Sequence, residues 1–268
     1  MATFVAEHST IDHRAEIDSD VEIGPYCVIG PNVRIGKGTR LENRVTIMGR
    51  VTIGQHNHLY PGVVIGGEPQ DLSYQGSDTQ VVIGDNNTIR EGVTINRATE
   101  KEDGITSIGS HNYLMACSHV AHDCRLGNHI IIANGTLLGG HVHIHDYASL
   151  SGGVAVHHYA TVGGYSFVSG LSRVLHDVAP FMLVDGHPSR PRCVNLVALK
   201  RHAFSGDAIA CLSEAHRLLY RAKVGLDHAR DILRGNNQLL PQVAELLAFV
   251  GQQQQGKHGR ARERRRAA

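Results

Sequence analysis

The sequence predicts a mainly β protein, in which a parallel β-helix of six-residue repeats is followed by a small α-helical C-terminal domain. Two observations carry this prediction. In three runs between positions 11 and 174 an aliphatic residue returns at every sixth position, whereas after Phe204 the apolar residues return at helical spacing. Glycine is abundant, 30 of 268 residues, as expected for a chain with many tight turns.

The six-residue period continues through three runs of positions, 11 to 65, 83 to 95 and 108 to 174, and every member is Ile, Leu or Val. A small or β-branched residue commonly stands four positions after the aliphatic one. Such a period fits neither an α-helix nor a simple alternating strand, but it fits short strands separated by turns with both positions pointing inward. We expect Gly or Asn to supply the positive φ that the corners need.

Interruptions and a change of period divide the chain. Two polar insertions break the repeat, and loops on a rigid scaffold commonly carry function. In the C-terminal region Ser205 is a plausible N-cap, Gly225 ends the first helix, and Pro241 starts the third. The predicted division is a β-helix at 1–192 with inserted loops near 67–82 and 98–107, a helical domain at 193–256, and a basic tail at 257–268 that is expected to be disordered.

Bulk properties exclude several classes of function. The net charge of +1 makes no case for nucleic-acid binding. Five cysteines form no CxxC pair, which favours free thiols in a reducing compartment and therefore a cytoplasmic location. We see no secretory signal at the N-terminus, and no stretch approaches eighteen consecutive apolar residues.

A polar cluster interrupts the repeat between positions 114 and 142. With three repeats per coil, residues eighteen apart lie one strand spacing apart, roughly 4.8 Å. His122 is therefore expected beneath Gly140, with His141 beside it, and His119 and His157 along the same edge. A pure scaffold does not need this set, so a non-catalytic role has little support.

Two chemical interpretations of this cluster remain open on spacing alone. In the first, His122 is a general base oriented by Asp123 or a nearby backbone carbonyl, and the N–H of Gly140 stabilises an oxyanion formed when a hydroxyl attacks a thioester. In the second, His119, His122 and His141 bind a metal, as in carbonic anhydrases built on the same kind of scaffold.

Longer motifs resemble one family closely. The segments HVAHDC (119–124), GGHV (139–142), PQDLSYQG (69–76), VTINRAT (93–99), GGVAVHHYA (152–160) and VNLVALKRHAFS (194–205) look like the acyl-[acyl carrier protein]–UDP-N-acetylglucosamine O-acyltransferases of lipid A synthesis. The similarity covers nearly the whole chain. The hexapeptide repeat itself resembles that of left-handed parallel β-helices of triangular section, which is the handedness we therefore expect.

The resemblance implies transfer of a 3-hydroxyacyl chain from acyl carrier protein to the glucosamine 3-hydroxyl of UDP-N-acetylglucosamine, without a cofactor or metal, by a cytoplasmic homotrimer whose active sites lie between subunits. His122 matches the base, Asp123 its orienting partner and Gly140 the oxyanion donor. The resemblance assigns the remaining positions as follows: Asp71, His119, His141 and His157, with Gln70 beside them, to sugar contacts, Asn195 and Arg201 to nucleotide and diphosphate contacts, Gly170 to acyl-chain length, and Arg217 and Arg221 to docking of the acidic carrier protein.

Several positions depart from the family pattern. Ser73 replaces a usual Lys, Asn96 a His, Ala98 a Gly, Val197 a Glu and His202 an Arg. These changes affect the expected sugar and nucleotide contacts rather than the base. A different UDP-sugar, or a 3-amino acceptor that would give an amide, therefore remains an alternative to the O-acyl transfer.

Overall fold

The computed structural model describes residues 3–263 and confirms the predicted fold class, a left-handed parallel β-helix followed by a small helical region. Three sheets form the three faces of a prism, and each coil contributes one short strand to each face. Strands within a face pair in parallel, except for one antiparallel hairpin at the C-terminal end of the first face.

The first face contains the strands Phe4–Val5, Glu22–Ile23, Arg40–Leu41, His58–Leu59, Thr88–Ile89, Tyr113–Leu114, Ile131–Ile132, Ser149–Leu150, Phe167–Val168, Met182–Gly186 and Ser189–Val194. The second contains Thr10–Ile11, Val28–Ile29, Thr46–Ile47, Val64–Gly67, Thr94–Asn96, His119–Val120, Leu137–Leu138, Ala155–Val156 and Arg173–Val174. The third contains Glu16–Ile17, Asn32–Ile35, Arg50–Ile53, Gln80–Ile83, Ile105–Ile108, Arg125–Leu126, His143–Ile144 and Thr161–Val162.

The six-residue aliphatic positions form the core of the prism. All of them are buried except Ile11 and Ile17 near the N-terminal end. Burying one such side chain fully contributes roughly 1.5–3 kcal/mol. Val120 pairs with Leu138 one coil above, so the eighteen-residue register that the sequence predicts is confirmed at the site.

The two insertions are shorter than expected. Residues 80–82 and 105–107 were assigned to the loops, yet they already belong to paired strands, because Ile83 stacks on Ile53 and Ile108 on Ile83 across the interruptions. The excursions therefore run from Glu68 to Thr79 and from Arg97 to Gly104.

The prediction that Gly or Asn supplies the positive φ holds at some corners, such as Gly135 and Gly153, and is wrong at most of them. His129, Tyr147 and Tyr165 take the positive φ, at 56°, 61° and 55°, and their rings stack with centroids 4.8 Å apart between neighbours. Ring stacking offsets the cost of that backbone. Glycine follows the aliphatic residue for another reason: a Cβ at Gly36 would lie 2.6 Å from the carbonyl carbon of Gly54 in the next coil.

The antiparallel hairpin ends the coils, and helices follow at Leu196–Arg201 (α1), Gly206–His216 (α2), Leu226–Gly235 (α3) and Pro241–Gln255 (α4), with a π-helical segment at Arg217–Ala222. Ser205 caps α2 as predicted, since its hydroxyl accepts from the N–H of Ala208 at 3.1 Å. Within residues 3–263, no helix combines the length and apolar character needed to cross a membrane.

The C-terminal tail differs from the disordered segment that we expected at 257–268. Residues 257–263, here called the C-terminal strap, pack back on the β-helix, and Arg260 is only 5% exposed. A run of like charges in a sequence predicts a solvated segment, but a guanidinium that donates hydrogen bonds to carbonyl and carboxylate oxygens can be buried. The part of this prediction that concerns residues 264–268 lies outside the described residues.

Candidate active site

The centre of the predicted site is a histidine–carboxylate pair at one corner of the prism. His122 and Asp123 follow the strand His119–Val120, and Nδ1 of His122 lies 2.7 Å from Oδ2 of Asp123. Both residues are buried. When the carboxylate accepts the Nδ1–H, Nε2 of the neutral ring keeps its lone pair. A ring held in this tautomer can take a proton from a bound hydroxyl.

The Asp123 carboxylate is fixed by a residue of the second insertion. Thr99 donates its backbone N–H to Oδ1 at 3.1 Å and its hydroxyl to Oδ2 at 2.7 Å. Burial raises the pKa of Asp123, but the hydrogen bonds from His122 and Thr99 outweigh it, so the pKa lies below its ordinary value. The carboxylate is therefore ionised beside the imidazole at neutral pH.

Gly140 lies one coil above His122 and close against its ring. The N–H of His141 donates to the His122 carbonyl at 3.0 Å, which sets the spacing of this corner. A Cβ at Gly140 would lie 2.6 Å from Nε2 and 3.0 Å from Nδ1 of His122. Gly140 is a buried residue, and its N–H has no hydrogen-bond acceptor within residues 3–263. Buried unpaired donors are rare, and this one is available to an oxygen bound beside His122.

His141 completes the corner in a left-handed backbone conformation, with φ 62°. Its Nδ1 lies 3.1 Å from Oε1 of Glu102, and its ring stacks on Tyr159 with centroids 4.3 Å apart. Its edge meets the His122 ring at a centroid distance of 5.2 Å. Burial lowers the pKa of His141, and the Asp123 and Glu102 carboxylates offset only part of that effect. The ring is therefore biased toward its neutral form.

The two insertions meet beside this corner. Lys101 of the second insertion donates to Asp71 of the first, and the Ser73 hydroxyl donates to the same carboxylate at 2.7 Å. The Lys101 ammonium is the main reason that the pKa of Asp71 lies below its ordinary range. The sequence did not identify Lys101, Thr99 and Glu102 as residues of the site. Its only signal was the polar composition of the second insertion, and no periodicity relates one excursion to the other.

The remaining sugar-contact candidates lie at the edge of the corner. Nδ1 of His119 lies 2.7 Å from the Thr94 hydroxyl, and burial lowers the pKa of His119. The His157 ring lies against its neighbour His158, with centroids 3.8 Å apart, and Nδ1 bonds the His158 carbonyl. Gln70 is exposed in the first insertion. The sugar-contact role assigned to each of these residues stays a prediction.

One set of donors in the described part of the chain is close enough to hold a metal ion. It consists of His122, Asp123 and His141, whose ligand atoms lie within 4.8 Å of one another. The set differs from the expected three histidines, because His119 is replaced by Asp123. Its carboxylate already accepts hydrogen bonds from Thr99 and bonds Nδ1 of His122, so a metal would compete with an established network.

Comparisons with known proteins show similarity along most of the chain. A family model described as UDP-N-acetylglucosamine O-acyltransferase, domain 2, matches residues 177–258, and one described as the GMPPB C-terminal domain matches residues 5–69. The acyl-[acyl-carrier-protein]–UDP-N-acetylglucosamine O-acyltransferase of Rippkaea orientalis is 51% identical over 208 residues, which are 76% of this chain and 75% of the relative. That of Synechocystis is 42% identical over 209 residues, 77% of this chain and 75% of the relative.

The chain belongs to the acyl-[acyl-carrier-protein]–UDP-N-acetylglucosamine O-acyltransferase family. Solved structures of family members superpose on it over nearly their whole length. LpxA from Bacteroides fragilis gives a TM-score of 0.90 at 34% identity, covering 92% of this chain and 97% of its own. LpxA from Acinetobacter baumannii gives 0.87 at 37% identity, covering 91% of this chain and 95% of its own.

The other candidate residues of this O-acyltransferase family member lie farther along the prism and in α1. Asn195 caps α1, accepting from the Ala198 N–H at 3.3 Å, while its amide donates to the Tyr165 carbonyl at 2.8 Å. Arg201 is exposed in the last turn of α1. A Cβ at Gly170 would have ordinary contacts, the nearest at 3.4 Å. The roles of Asn195, Arg201 and Gly170 stay predictions.

The departures from the family pattern have identifiable surroundings. Ser73 bonds Asp71, so a small hydroxyl stands where a lysine was expected, and Lys101 supplies the cation instead. Asn96 is 8% exposed and its Oδ1 has no partner within residues 3–263, so the acceptor is free. Val197 is 68% exposed on α1. Within residues 3–263, none of the three side chains hydrogen-bonds to His122 or Asp123.

Proposed function

We propose that this chain transfers a 3-hydroxyacyl group from acyl carrier protein to the 3-hydroxyl of the glucosamine ring in UDP-N-acetylglucosamine, the first step of lipid A synthesis, with His122 as general base. Family membership supports the reaction. The observation that carries the assignment of the base is the buried contact of 2.7 Å between Nδ1 of His122 and Oδ2 of Asp123, beside a Gly140 N–H that has no acceptor within residues 3–263.

In the first half of the reaction, Nε2 of His122 takes the proton of the sugar 3-hydroxyl as its oxygen attacks the thioester carbonyl carbon. A new C–O bond forms, and the carbonyl becomes an oxyanion. The imidazolium is stabilised by the Asp123 carboxylate, which keeps its own charge. Because the dyad is buried, this charge pairing is stronger than it would be in water.

The Gly140 N–H is the proposed donor to that oxyanion. Gly140 is a buried residue whose N–H has no acceptor in the described part of the chain, and the absence of a side chain lets an acyl carbonyl come close to the His122 ring. Removing one oxyanion donor typically costs on the order of 10²–10³ in kcat. When the C–S bond breaks, the imidazolium returns its proton to the sulfur of the carrier's thiol, and the base is regenerated.

The substrates are assigned to the surroundings of the dyad. We assign the sugar to the side of Asp71, Gln70, His119, His141 and His157, the nucleotide to Asn195 and Arg201, and the acyl chain to a route limited near Gly170. Acyl carrier protein is acidic, so the exposed Arg217 and Arg221 are its proposed dock, and no nucleic acid is involved. We expect a cytoplasmic homotrimer with active sites between subunits. Light scattering on the purified protein tests the number of subunits.

A second acceptor chemistry has a specific observation in its favour. The contacts that the family pattern assigns to sugar and nucleotide are changed at Ser73, Asn96 and Val197, while the dyad is intact. A 3-amino sugar would be acylated by the same base and would give an amide. A different UDP-sugar is the other possibility, and both are distinguished from the main proposal by the acceptor used.

The decisive assay offers acyl carrier protein thioesters of several lengths with UDP-N-acetylglucosamine or its 3-amino analogue. We expect ester formation, and its loss by at least about 10³-fold in His122→Ala. The matched control is His58→Ala, because His58 also bonds a carboxylate, Glu42, at 2.9 Å in a distant coil. Turnover of His122→Ala close to that of the control would remove the base assignment. Faster reaction of the amine would favour the second chemistry.

A further inference from the structure

The C-terminal strap is attached to the β-helix by buried groups. Asp177 is the main anchor, since its Oδ2 accepts from the Ala261 N–H at 2.7 Å and its own N–H donates to the Gly259 carbonyl at 2.8 Å. The Oδ1 of Asp177 accepts from the N–H of Thr161 at 2.7 Å, which ties the anchor to the coils. Arg260 donates to the Leu175 carbonyl. The strap is thus fixed in position where it passes the last coils.

From this anchored backbone, the Arg262 side chain reaches the active-site corner. Its guanidinium donates to the backbone carbonyl of His141 and, at 3.0 Å, to Oε1 of Glu102. The same Oε1 lies 3.1 Å from Nδ1 of His141. The guanidinium is three-quarters buried, with 23% of the side chain exposed, and burial lowers its pKa. Arginine remains charged there, because its pKa is far above neutral.

We propose that Arg262 is a positioning residue for acyl transfer, holding His141 by its backbone carbonyl directly and by its imidazole through Glu102. This rests on the proposed function of the corner. His141 follows Gly140 in the chain, and its own N–H bonds the His122 carbonyl at 3.0 Å, so holding the His141 backbone restrains the short segment that carries the Gly140 N–H beside His122. One guanidinium from the C-terminal strap therefore secures both the ring and the backbone of the site.

The second insertion offers a matched comparison. Arg125 also pairs with an acidic residue of that loop, Asp103, at 2.8 Å. That pair is exposed on both sides, 43% and 47%, and within residues 3–263 neither side chain hydrogen-bonds to His122, Gly140 or His141. Exposed pairs contribute about 0–1 kcal/mol, whereas buried charge-assisted bonds fix geometry more strongly. If Arg262 merely held the loop, the two arginines would be equivalent in an activity assay.

The kinetic test compares Arg262→Met, Arg262→Lys and the control Arg125→Met, after melting temperatures confirm folding. We expect Arg262→Met to lower kcat by about tenfold or more, with the KM for acyl carrier protein thioester within about twofold, because a displaced catalytic group lowers turnover rather than donor binding. Arg262→Lys should be intermediate, since an ammonium lacks the planar fork that serves both acceptors. Values of kcat for Arg262→Met equal to those of Arg125→Met would overturn the proposal.

A double variant tests the route through Glu102. Because Arg262 orients the imidazole by way of that carboxylate, adding Glu102→Gln to Arg262→Met should reduce kcat by much less than the product of the two single effects. Full multiplication of the effects would mean that the residues act separately and would contradict the proposed route.

Hydrogen exchange without substrate separates this inference from the proposed reaction. We expect exchange of backbone amides at 140–143 to be about tenfold faster in Arg262→Met, while peptides of the N-terminal coils keep their rates. If the wild type lacks O-acyltransferase activity, the proposed function fails, yet the exchange result still decides whether Arg262 orders the corner. Unchanged exchange at 140–143 would overturn the positioning role whatever the activity.

Discussion

Replacing Gly140 by alanine tests the geometry of the corner most directly. The added Cβ would lie 2.6 Å from Nε2 and 3.0 Å from Nδ1 of His122. Carbon and nitrogen atoms out of bonding contact prefer roughly 3.5–4.0 Å, so the ring must move by about 1 Å. The imidazole is the group that must move, away from its contact with Asp123, because the Gly140 backbone is set by the coil.

The size of the expected effect follows from that displacement. A misplacement of about 1 Å in a catalytic group can cost on the order of 10²-fold in rate. The strain of an off-rotamer ring is of order 1 kcal/mol, which a stable β-helix tolerates. Gly140→Ala should therefore lower kcat by about 100-fold and change the melting temperature by only a few degrees.

The assay measures kcat and the melting temperature of Gly140→Ala against Gly30→Ala. Gly30 is a suitable control, because a Cβ there would meet only ordinary contacts, the nearest at 3.4 Å, in a coil distant from the site. We expect the control to match the wild type in both measurements. A folded Gly140→Ala protein with wild-type turnover would refute the placement of the reacting atoms between this glycine and His122.

Three further predictions follow from the same residues. The pKa of Asp123 is lower in the folded protein than in the unfolded chain, so its stabilising contribution is complete above the unfolded pKa of about 4 and is lost as the pH falls through the folded pKa. The loss of stability caused by Asp123→Asn, measured by urea unfolding, should therefore shrink toward pH 3. A loss that does not change with pH would contradict this prediction. Burial raises the pKa of the Cys124 thiol to about 12, so iodoacetamide at pH 8 should alkylate the exposed Cys193 and spare Cys124, as peptide mass spectrometry can check. Acyl transfer should persist after chelator treatment and dialysis, since the proposed mechanism uses no metal; loss of activity that zinc restores would favour the donor set His122, Asp123 and His141 as a metal site.

Much of the fold and the centre of the site could be predicted because both depend on the six-residue period. The period determines the coil, and the coil places Gly140 over His122, as the hydrogen bond from the His141 N–H to the His122 carbonyl confirms. The register of a parallel β-helix is a local property, since each strand pairs with the strand that begins about eighteen residues later in the chain. The function followed from motifs around that register and from the family resemblance.

The features that the sequence predicts wrongly depend on contacts that do not recur at the six-residue spacing. The sequence predicts glycine chiefly for corners with positive φ, but Gly36 is required by the close approach of the backbone of the next coil. The tail was expected to be solvated, yet its anchor on Asp177 brings Arg262 to His141.

The sequence by itself therefore determined the prism, its core and the His122–Asp123–Gly140 arrangement, because the repeat relates each of these to a fixed separation along the chain. Only the tertiary structure decided which loop and strap residues support them. Glu102 and Arg262 are 160 positions apart, and their bond depends on how an insertion and a returning strap fold over the same corner. The spacing of residues along the chain cannot predict this contact, since neither the insertion nor the strap follows the six-residue repeat.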